Sequence, residues 1–361
     1  MSHASSDGVA RHVASRLEDR YHRWRARGAR SRGLKPVILP YVGYGYSSED
    51  GGWVRVFARV VLARPGAFED GHHKAQVIDD GIRGFRNFIS AIIPQGNVSI
   101  EVAGRHFEVQ ADRGGVLDVK LQVDLEPGWH EISLRVHDGD DAKASILVIS
   151  EHQKFGIISD VDDTVVVTAL PRPLLAAWNS FVLSEHARVA TPGMAVMMQR
   201  MLHEYPGSPT IYLSTGAWNV AQTLQRFMSR NLYPRGPLLL TDWGPTDRAW
   251  FRSGQQHKVD QLRRLAQEFP NISWVLIGDD GQHDPAIYAE FARRCPEHVR
   301  AIVIRQLTPS EAVLAGGRSQ ELWRTTPGIP WVYEPDGARI LEGLTRLGLV
   351  SPDDESLEEQ R

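Results

Sequence analysis

The stretch Phe155-Gly-Ile-Ile-Ser-Asp160-Val-Asp162-Asp163-Thr164 ends an apolar run in three carboxylates and a threonine. Like charges crowded at the end of a buried strand repel one another and lose hydration, so a bound divalent cation is the commonest partner of such a cluster. Three further positions follow in order. Ser214 closes Thr210-Ile-Tyr-Leu-Ser214, Lys258 follows His257, and a second acidic group lies in Gly278-Asp279-Asp280-Gly-Gln-His-Asp284. As a set they suit phosphoryl transfer. Asp160 can attack phosphorus and form an aspartyl phosphate, which splits one hard displacement into two easier ones. Asp162 can protonate the leaving alkoxide and later take a proton from water, a duty that needs its pKa raised toward neutrality. Asp160 and Asp279, with Asp162 beside them, can hold Mg2+. Ser214 can donate a hydrogen bond to a phosphoryl oxygen and Lys258 offers it a point positive charge. Thr164 belongs with this phosphate-binding group and fixes the shared loop. Asp163 and Asp280 can tune the metal from outside or only satisfy backbone donors, and the sequence leaves both readings open.

These residues need a scaffold that brings strand ends together. After about residue 151, apolar runs at 155–160, 210–214, 237–241, 273–278 and 299–305 alternate with helical stretches at Leu174–Leu183, Met194–His203, Asn219–Arg230, His257–Phe269 and Pro285–Arg294. That alternation predicts an α/β domain with a Rossmann-like, doubly wound parallel sheet, whose carboxyl edge carries the chemistry. His257-Lys258 is expected to open a helix. The intervals 165–209 and 243–256 are short, so little or no cap is expected. Trp178, Trp218, Trp243 and Trp250 lie near the expected mouth, where they can seat lipid or pack in the core.

Residues 36–150 read as β-rich. Runs such as Val98–Val102, Leu117–Leu125 and His130–Val136 alternate apolar and polar between turn signals, which predicts a small antiparallel, sandwich-like domain. Residues 66–96 give no clear pattern. Tyr41-Val-Gly-Tyr-Gly-Tyr46 resembles a glycine loop, but no strand is evident before it, so a structural turn is expected. The expected organisation is a basic, partly helical segment 1–35, the β-rich domain 36–150, a catalytic domain 151–310, and an extension 311–361 with a helix near Gly337–Leu347 and an acidic tail. The basic segment fits either a membrane-surface helix or a helix packing its apolar stripe on the protein.

The 361 residues have room for about two domains. A net charge of −3 argues against nucleic acid as a partner. The single cysteine, Cys295, permits no intrachain disulfide and fits a reducing compartment. Cys295-Pro-Glu-His-Val-Arg300 is one residue short of a cysteine-phosphatase loop. His72-His73, His283 and His298 lack zinc spacing. No apolar run approaches the roughly 20 residues of a membrane span. A cytoplasmic protein is expected, with peripheral membrane contact open to it.

The ordered motifs resemble the haloacid-dehalogenase-like phosphatases, and within them the actin-patch-associated phosphatidate phosphatase family and its bacterial relatives. The resemblance rests on Gly156–Thr164, Thr191-Pro-Gly193, Ser214 with Trp218-Asn219, Gly236-Pro-Leu238, His257-Lys258, Leu276-Ile-Gly-Asp279 with Gly281-Gln282, Asp284-Pro285 and Tyr288, and the strand-ending Arg305. It implies Asp160 as nucleophile, Asp162 as acid/base, Ser214 and Lys258 as phosphate contacts and Asp279 as metal ligand. Asp284 would support the metal, and Trp218 and Asn219 would touch substrate. The sequence departs from the family at Thr215-Gly-Ala217 and at Asp280, where the family tends to have a serine- and proline-containing turn and a serine. The implied activity is Mg2+-dependent hydrolysis of phosphatidate to diacylglycerol. The alternatives are a phosphatase for a soluble phosphoester or phosphoprotein, and a non-catalytic phosphate-binding module.

Overall fold

A computed structural model describes residues 28, 31, 33–63, 91–167, 189–241, 247–281, 283–314, 317, 326 and 328–352, the side chains of 91, 247–253 and 314 excepted. The expectations for the basic N-terminal helix, His72-His73, Leu174–Leu183, Trp178, Trp243, the side chain of Trp250, Gln282 and the acidic tail lie outside these residues. The chain divides between Val148 and Ile149 into two compact units.

The first unit holds β1 (Lys35–Pro40), β2 (Gly43–Ser47), β3 (Trp53–Ala63), β4 (Ala91–Ile92), β5 (Asn97–Val102), β6 (Arg105–Gln110), β7 (Val116–Gln122), β8 (Gly128–Val136) and all but the last two residues of β9 (Ala142–Ser150). They join one nine-stranded sheet in the order β1-β3-β2-β9-β8-β5-β6, with β4 and β7 also on β3. The pairs β1–β3, β2–β3, β3–β7, β5–β6, β5–β8 and β8–β9 are antiparallel. Period two explains the burial. In β8, Ile132, Leu134 and Val136 enter the core while Glu131, Ser133 and Arg135 face out. The expected turn at Tyr41–Tyr46 is corrected: β1 precedes it and Gly43-Tyr-Gly-Tyr-Ser47 is itself a strand. A Cβ on Gly43 would run into the carbonyl of Arg55, so glycine serves close strand approach there rather than a phosphate loop.

The second unit carries the motifs. Its strands are β10 (Phe155–Asp160), β11 (Val166–Val167), β12 (Val189–Ala190), β13 (Thr210–Ala217), β14 (Leu238–Thr241), β15 (Ser273–Asp279), β16 (Val299–Arg305) and β17 (Trp331–Glu334). Its helices are α1 (Met194–Glu204), α2 (Ala221–Arg230), α3 (Asp247–Glu268), α4 (Asp284–Arg294), α5 (Pro309–Leu314) and α6 (Gly337–Arg346). Six strands form a sheet in the order β14-β13-β10-β15-β16-β17. Every pair in it is parallel. Counted along the chain the order is 3-2-1-4-5-6, so the strand order reverses beside the first strand. The central β10 is buried at every residue. Its Ile157 and Ile158 each contribute about 1.5–3 kcal/mol of apolar burial. β11 and β12 pair antiparallel in a small separate ribbon.

Two features depart from the sequence pattern. β17 adds a sixth strand to the sheet from a segment where only a helix and a tail were expected. Lys258 does not open a helix but sits midway along the 22-residue α3, which reaches back to Asp247. The polar stretch Arg252-Ser-Gly-Gln-Gln256 hides that first half, since it lacks an apolar stripe and carries a Ser-Gly pair that reads as a break. Among the described residues no helix is long and apolar enough to cross a membrane.

Candidate active site

Parallel register places the chemistry at one edge. Asp160 ends β10 opposite Leu213 of β13, one residue before Ser214. Ser159 lies opposite Ile277 of β15, which runs on to Gly278 and Asp279. Asp284 is the first residue of α4, followed by Pro285, whose fixed φ suits a helix start. One carboxylate oxygen each from Asp160, Asp279 and Asp284 lies within 4.8 Å of the others. All three residues are buried. Lys258 Nζ lies 2.6 Å from Asp160 Oδ1 and 2.6 Å from Asp284 Oδ1. The cluster thus holds three carboxylates against one ammonium.

The electrostatics follow from that imbalance. Burial pushes the Asp160 carboxyl well above its usual range. Lys258 pulls it down, and Asp284, Asp162 and Asp279 push it up again. Asp279 is raised by burial first, then by Asp284 and Asp163, against Lys258 and the Gly281 N–H. Burial would lower Lys258, but Asp160 and Asp284 reverse this and hold the ammonium above its ordinary value. One lysine cannot neutralise three acids, so the group is short of positive charge. Asp284 Oδ2 is buried without a hydrogen-bond partner. An orphaned oxygen in a set of hard carboxylate donors fits a small divalent cation such as Mg2+.

Glycine makes this convergence possible. A Cβ on Gly278 would lie 2.5 Å from Asp284 Oδ2, 2.8 Å from Asp284 Cβ and 2.9 Å from Tyr288 Cε2. Tyr288 is fully buried under the acids and donates to the Ile277 carbonyl at 3.0 Å. Burial, then Asp284, Asp160 and Asp279, push its phenol well up, so it stays neutral.

Asp162, grouped with the metal acids from sequence, stands apart from that trio. Its Oδ2 accepts from Ser214 Oγ at 3.1 Å. Ser214 Oγ in turn accepts the Gly216 N–H at 2.9 Å. Ser214 sits where the β13–β14 register shifts between Leu213 and Ala217, a local irregularity of the kind that re-aims side chains beside active sites. Thr241 Oγ1 donates to the carbonyls of Thr215 and Gly216 at 3.0 and 3.1 Å and steadies that turn. Thr164 is fully buried and its Oγ1 lacks a hydrogen-bond partner.

Asp280 is also held away from the cluster. Its Oδ1 accepts the Leu307 N–H at 2.9 Å and its Oδ2 accepts the Tyr333 hydroxyl, so its carboxylate fixes the β16 and β17 ends. Asp163 adopts a left-handed backbone, φ 57°, and donates its N–H to the Val166 carbonyl at 2.8 Å. It thereby turns the loop behind Asp162. Trp218 and Asn219 lie in the short 3-10 turn Trp218–Val220 after β13, with Trp218 only 6% exposed. Sequence reasoning missed the packing roles of Gly278 and Tyr288; their invitation is the Gly-Asp-x-x-x-x-Asp-Pro-x-x-Tyr spacing itself.

Residues 155–306 match the family model described as the catalytic domain of phosphatidate phosphatase APP1. Phosphatidate phosphatase APP1 of Saccharomyces cerevisiae is 23% identical over 248 residues, which cover 65% of this chain and 41% of that protein. An uncharacterized protein of Schizosaccharomyces pombe is 27% identical over 178 residues, 46% of this chain and 27% of that protein. The chain therefore spans less than half the length of these curated relatives. A carbohydrate acetylesterase from Xanthomonas citri aligns over 85% of this chain and 72% of its own, at 10% identity and a TM-score of 0.32, a score too low to argue from. The segment that carries the carboxylate cluster is thus similar in sequence to the catalytic domain of phosphatidate phosphatase APP1.

Proposed function

We propose that this chain is a Mg2+-dependent phosphomonoesterase of the haloacid-dehalogenase-like type, working through an aspartyl phosphate on Asp160, with phosphatidate as substrate and diacylglycerol as product. The observation that carries the reading is the buried contact of Lys258 with both Asp160 and Asp284 inside a three-carboxylate group at the switch point of the sheet. Asp160, Asp279 and Asp284 would hold the ion. When bound, it supplies the positive charge that lets an anionic phosphate approach an anionic nucleophile.

Lys258 fixes the rotamer of Asp160 and keeps one of its oxygens oriented. A carboxylate oxygen of Asp160 forms the bond to phosphorus while the ester P–O bond breaks. Asp162, in its protonated form, gives its proton to the departing alkoxide oxygen. Water then attacks the phosphorus of the acyl phosphate, passes a proton to Asp162 and releases inorganic phosphate with the Asp160 carboxylate restored. Ser214 has one hydroxyl hydrogen, now directed at Asp162, and turns it to a phosphoryl oxygen when substrate arrives. Thr164, buried and unpartnered at oxygen, offers a second donor from the loop that carries Asp162.

Lipid as substrate is supported by the match to the phosphatidate phosphatase catalytic domain. Such a substrate implies peripheral contact with a membrane, and a cytoplasmic setting suits the single cysteine. Asp160→Asn should lower hydrolysis of both p-nitrophenyl phosphate and phosphatidate in mixed micelles by at least about 10³-fold. Residual turnover near that of the wild type removes the nucleophile. A wild-type preference for soluble phosphomonoesters over micellar phosphatidate removes the lipid and leaves the reaction.

A further inference from the structure

Arg305 ends β16 and is only 3% exposed, and its guanidinium is engaged outside the group of three clustered carboxylates. Its Nη1 donates to the backbone carbonyl of Asp163 at 2.7 Å. Its Nη2 donates to Glu311 Oε1 at 2.8 Å. Its own backbone carbonyl accepts the Asp280 N–H at 3.1 Å. One residue therefore bonds to both acid-bearing loops: by its side chain to the loop after Asp160 and Asp162, and by its main chain to the loop after Asp279.

Glu311 is itself held in place. Its Oε2 accepts the N–H and the hydroxyl of Thr308, both at 2.8 Å, while the Glu311 N–H donates back to Thr308 Oγ1 at 3.3 Å. This is a capping box, Thr308-x-x-Glu311, at the start of α5, with the second carboxylate oxygen left to hold Arg305. Glu311 also neutralises the guanidinium, so Arg305 brings a rigid fork to the site without adding net charge to it. At Asp163 the fork grips the left-handed residue on which the catalytic loop turns. Tyr233 grips the same loop at the Val165 carbonyl, 2.9 Å away.

We propose that Arg305, oriented by Glu311, is a positioning residue that sets the spacing between the Asp160–Asp162 loop and the Asp279 loop, and through it the affinity of the carboxylate group for a divalent cation. The claim about turnover rests on the phosphatase reading above; the claim about cation affinity does not.

The test is Arg305→Lys, which keeps the charge but offers one nitrogen on a shorter, non-planar head where the guanidinium offers two, so the separate bonds of Nη1 to Asp163 and Nη2 to Glu311 are not reproduced. Mg2+ affinity is measured by calorimetry and by the cation-dependent rise in melting temperature, and kcat and KM with p-nitrophenyl phosphate. The expected result is a loss of about 10–100-fold in Mg2+ affinity, the range for residues that orient metal ligands, with kcat reduced at saturating Mg2+ and KM little changed. A purely structural arginine would lower the melting temperature in EDTA and leave the Mg2+ affinity of the folded protein unchanged; that outcome overturns the proposal. If Arg305→Lys does not fold, Glu311→Gln reads the same quantity with Arg305 in place, and unchanged affinity there overturns it equally. If the wild type binds Mg2+ but hydrolyses no phosphomonoester, the phosphatase reading fails while the affinity comparison still decides the role of Arg305.

Discussion

Gly278→Ala perturbs the cation site through a single methyl group. The added carbon would sit 2.5 Å from Asp284 Oδ2 and 2.8 Å from Asp284 Cβ, with the Tyr288 ring 2.9 Å away. An ordinary carbon–oxygen contact is longer by well over half an ångström, and β15 is fixed by β10 on one side and β16 on the other. Asp284 is therefore the group that moves, and its 2.6 Å contact with Lys258 lengthens. Overpacking should cost about 1–3 kcal/mol in EDTA. The diagnostic part is separate. A cation at about 100 times its Kd stabilises the folded protein by about 2.7 kcal/mol, and tenfold weaker binding removes about 1.3 kcal/mol of that. For a unit spanning Ile149–Arg361, this is about 3–5 °C less Mg2+-induced rise in melting temperature. Differential scanning fluorimetry across an Mg2+ titration measures it, with the EDTA melt subtracting the packing cost. A variant that folds and keeps the wild-type Mg2+ titration would refute the idea that the missing side chain at 278 is what admits Asp284.

Two other expectations concern protons. Asp162→Asn should slow the release of alcohol from alkyl phosphates by about 10²–10⁴-fold but the first-turnover release of p-nitrophenol from p-nitrophenyl phosphate far less, because a good leaving group needs little protonation; single-turnover rates across a leaving-group series check it, since the later attack of water needs Asp162 with every substrate. His257, which contacts the Leu239 carbonyl at 3.3 Å, is held below its ordinary value of 6.5, first by burial. A depressed pKa means that its neutral form stabilises the fold fully above pH 6.5 and that this contribution is lost as pH falls through the folded-state value. Wild-type melting temperature should therefore drop more between pH 7.5 and 5.5 than that of His257→Gln; equal drops would exclude the histidine as the cause.

The central strands were legible because a sheet covered on both faces demands near-continuous apolar runs, and β10, β13, β15 and β16 provide them. β17 was not, since only Val332 of its four residues is buried and proline precedes it. The identities of Asp160, Asp279, Asp284 and Lys258 were readable from order and spacing. What they touch was not, because the contacts join residues far apart in the chain. Asp163 illustrates the difference. As a further acid it invited an electrostatic role, and it does push Asp279 up, but its backbone adds what the sequence hid, a turn residue in the left-handed region that Asp tolerates better than most. The capping box Thr308-x-x-Glu311 was available as a local signal for α5; its link to Arg305 was not.

The central place of β10 has a consequence for biosynthesis. Its one edge pairs with β13, whose register begins at Thr210, and its other edge with β15 only from Ser273, about 118 residues after Phe155. At ribosomal speeds of about 5–20 residues per second, the apolar segment Phe155–Ser159 waits about 6–24 s for its second neighbour to be made. During that interval a strand destined to be wholly buried has an open edge and needs shielding from other chains, and no truncation ending before Asp284 contains all three clustered carboxylates.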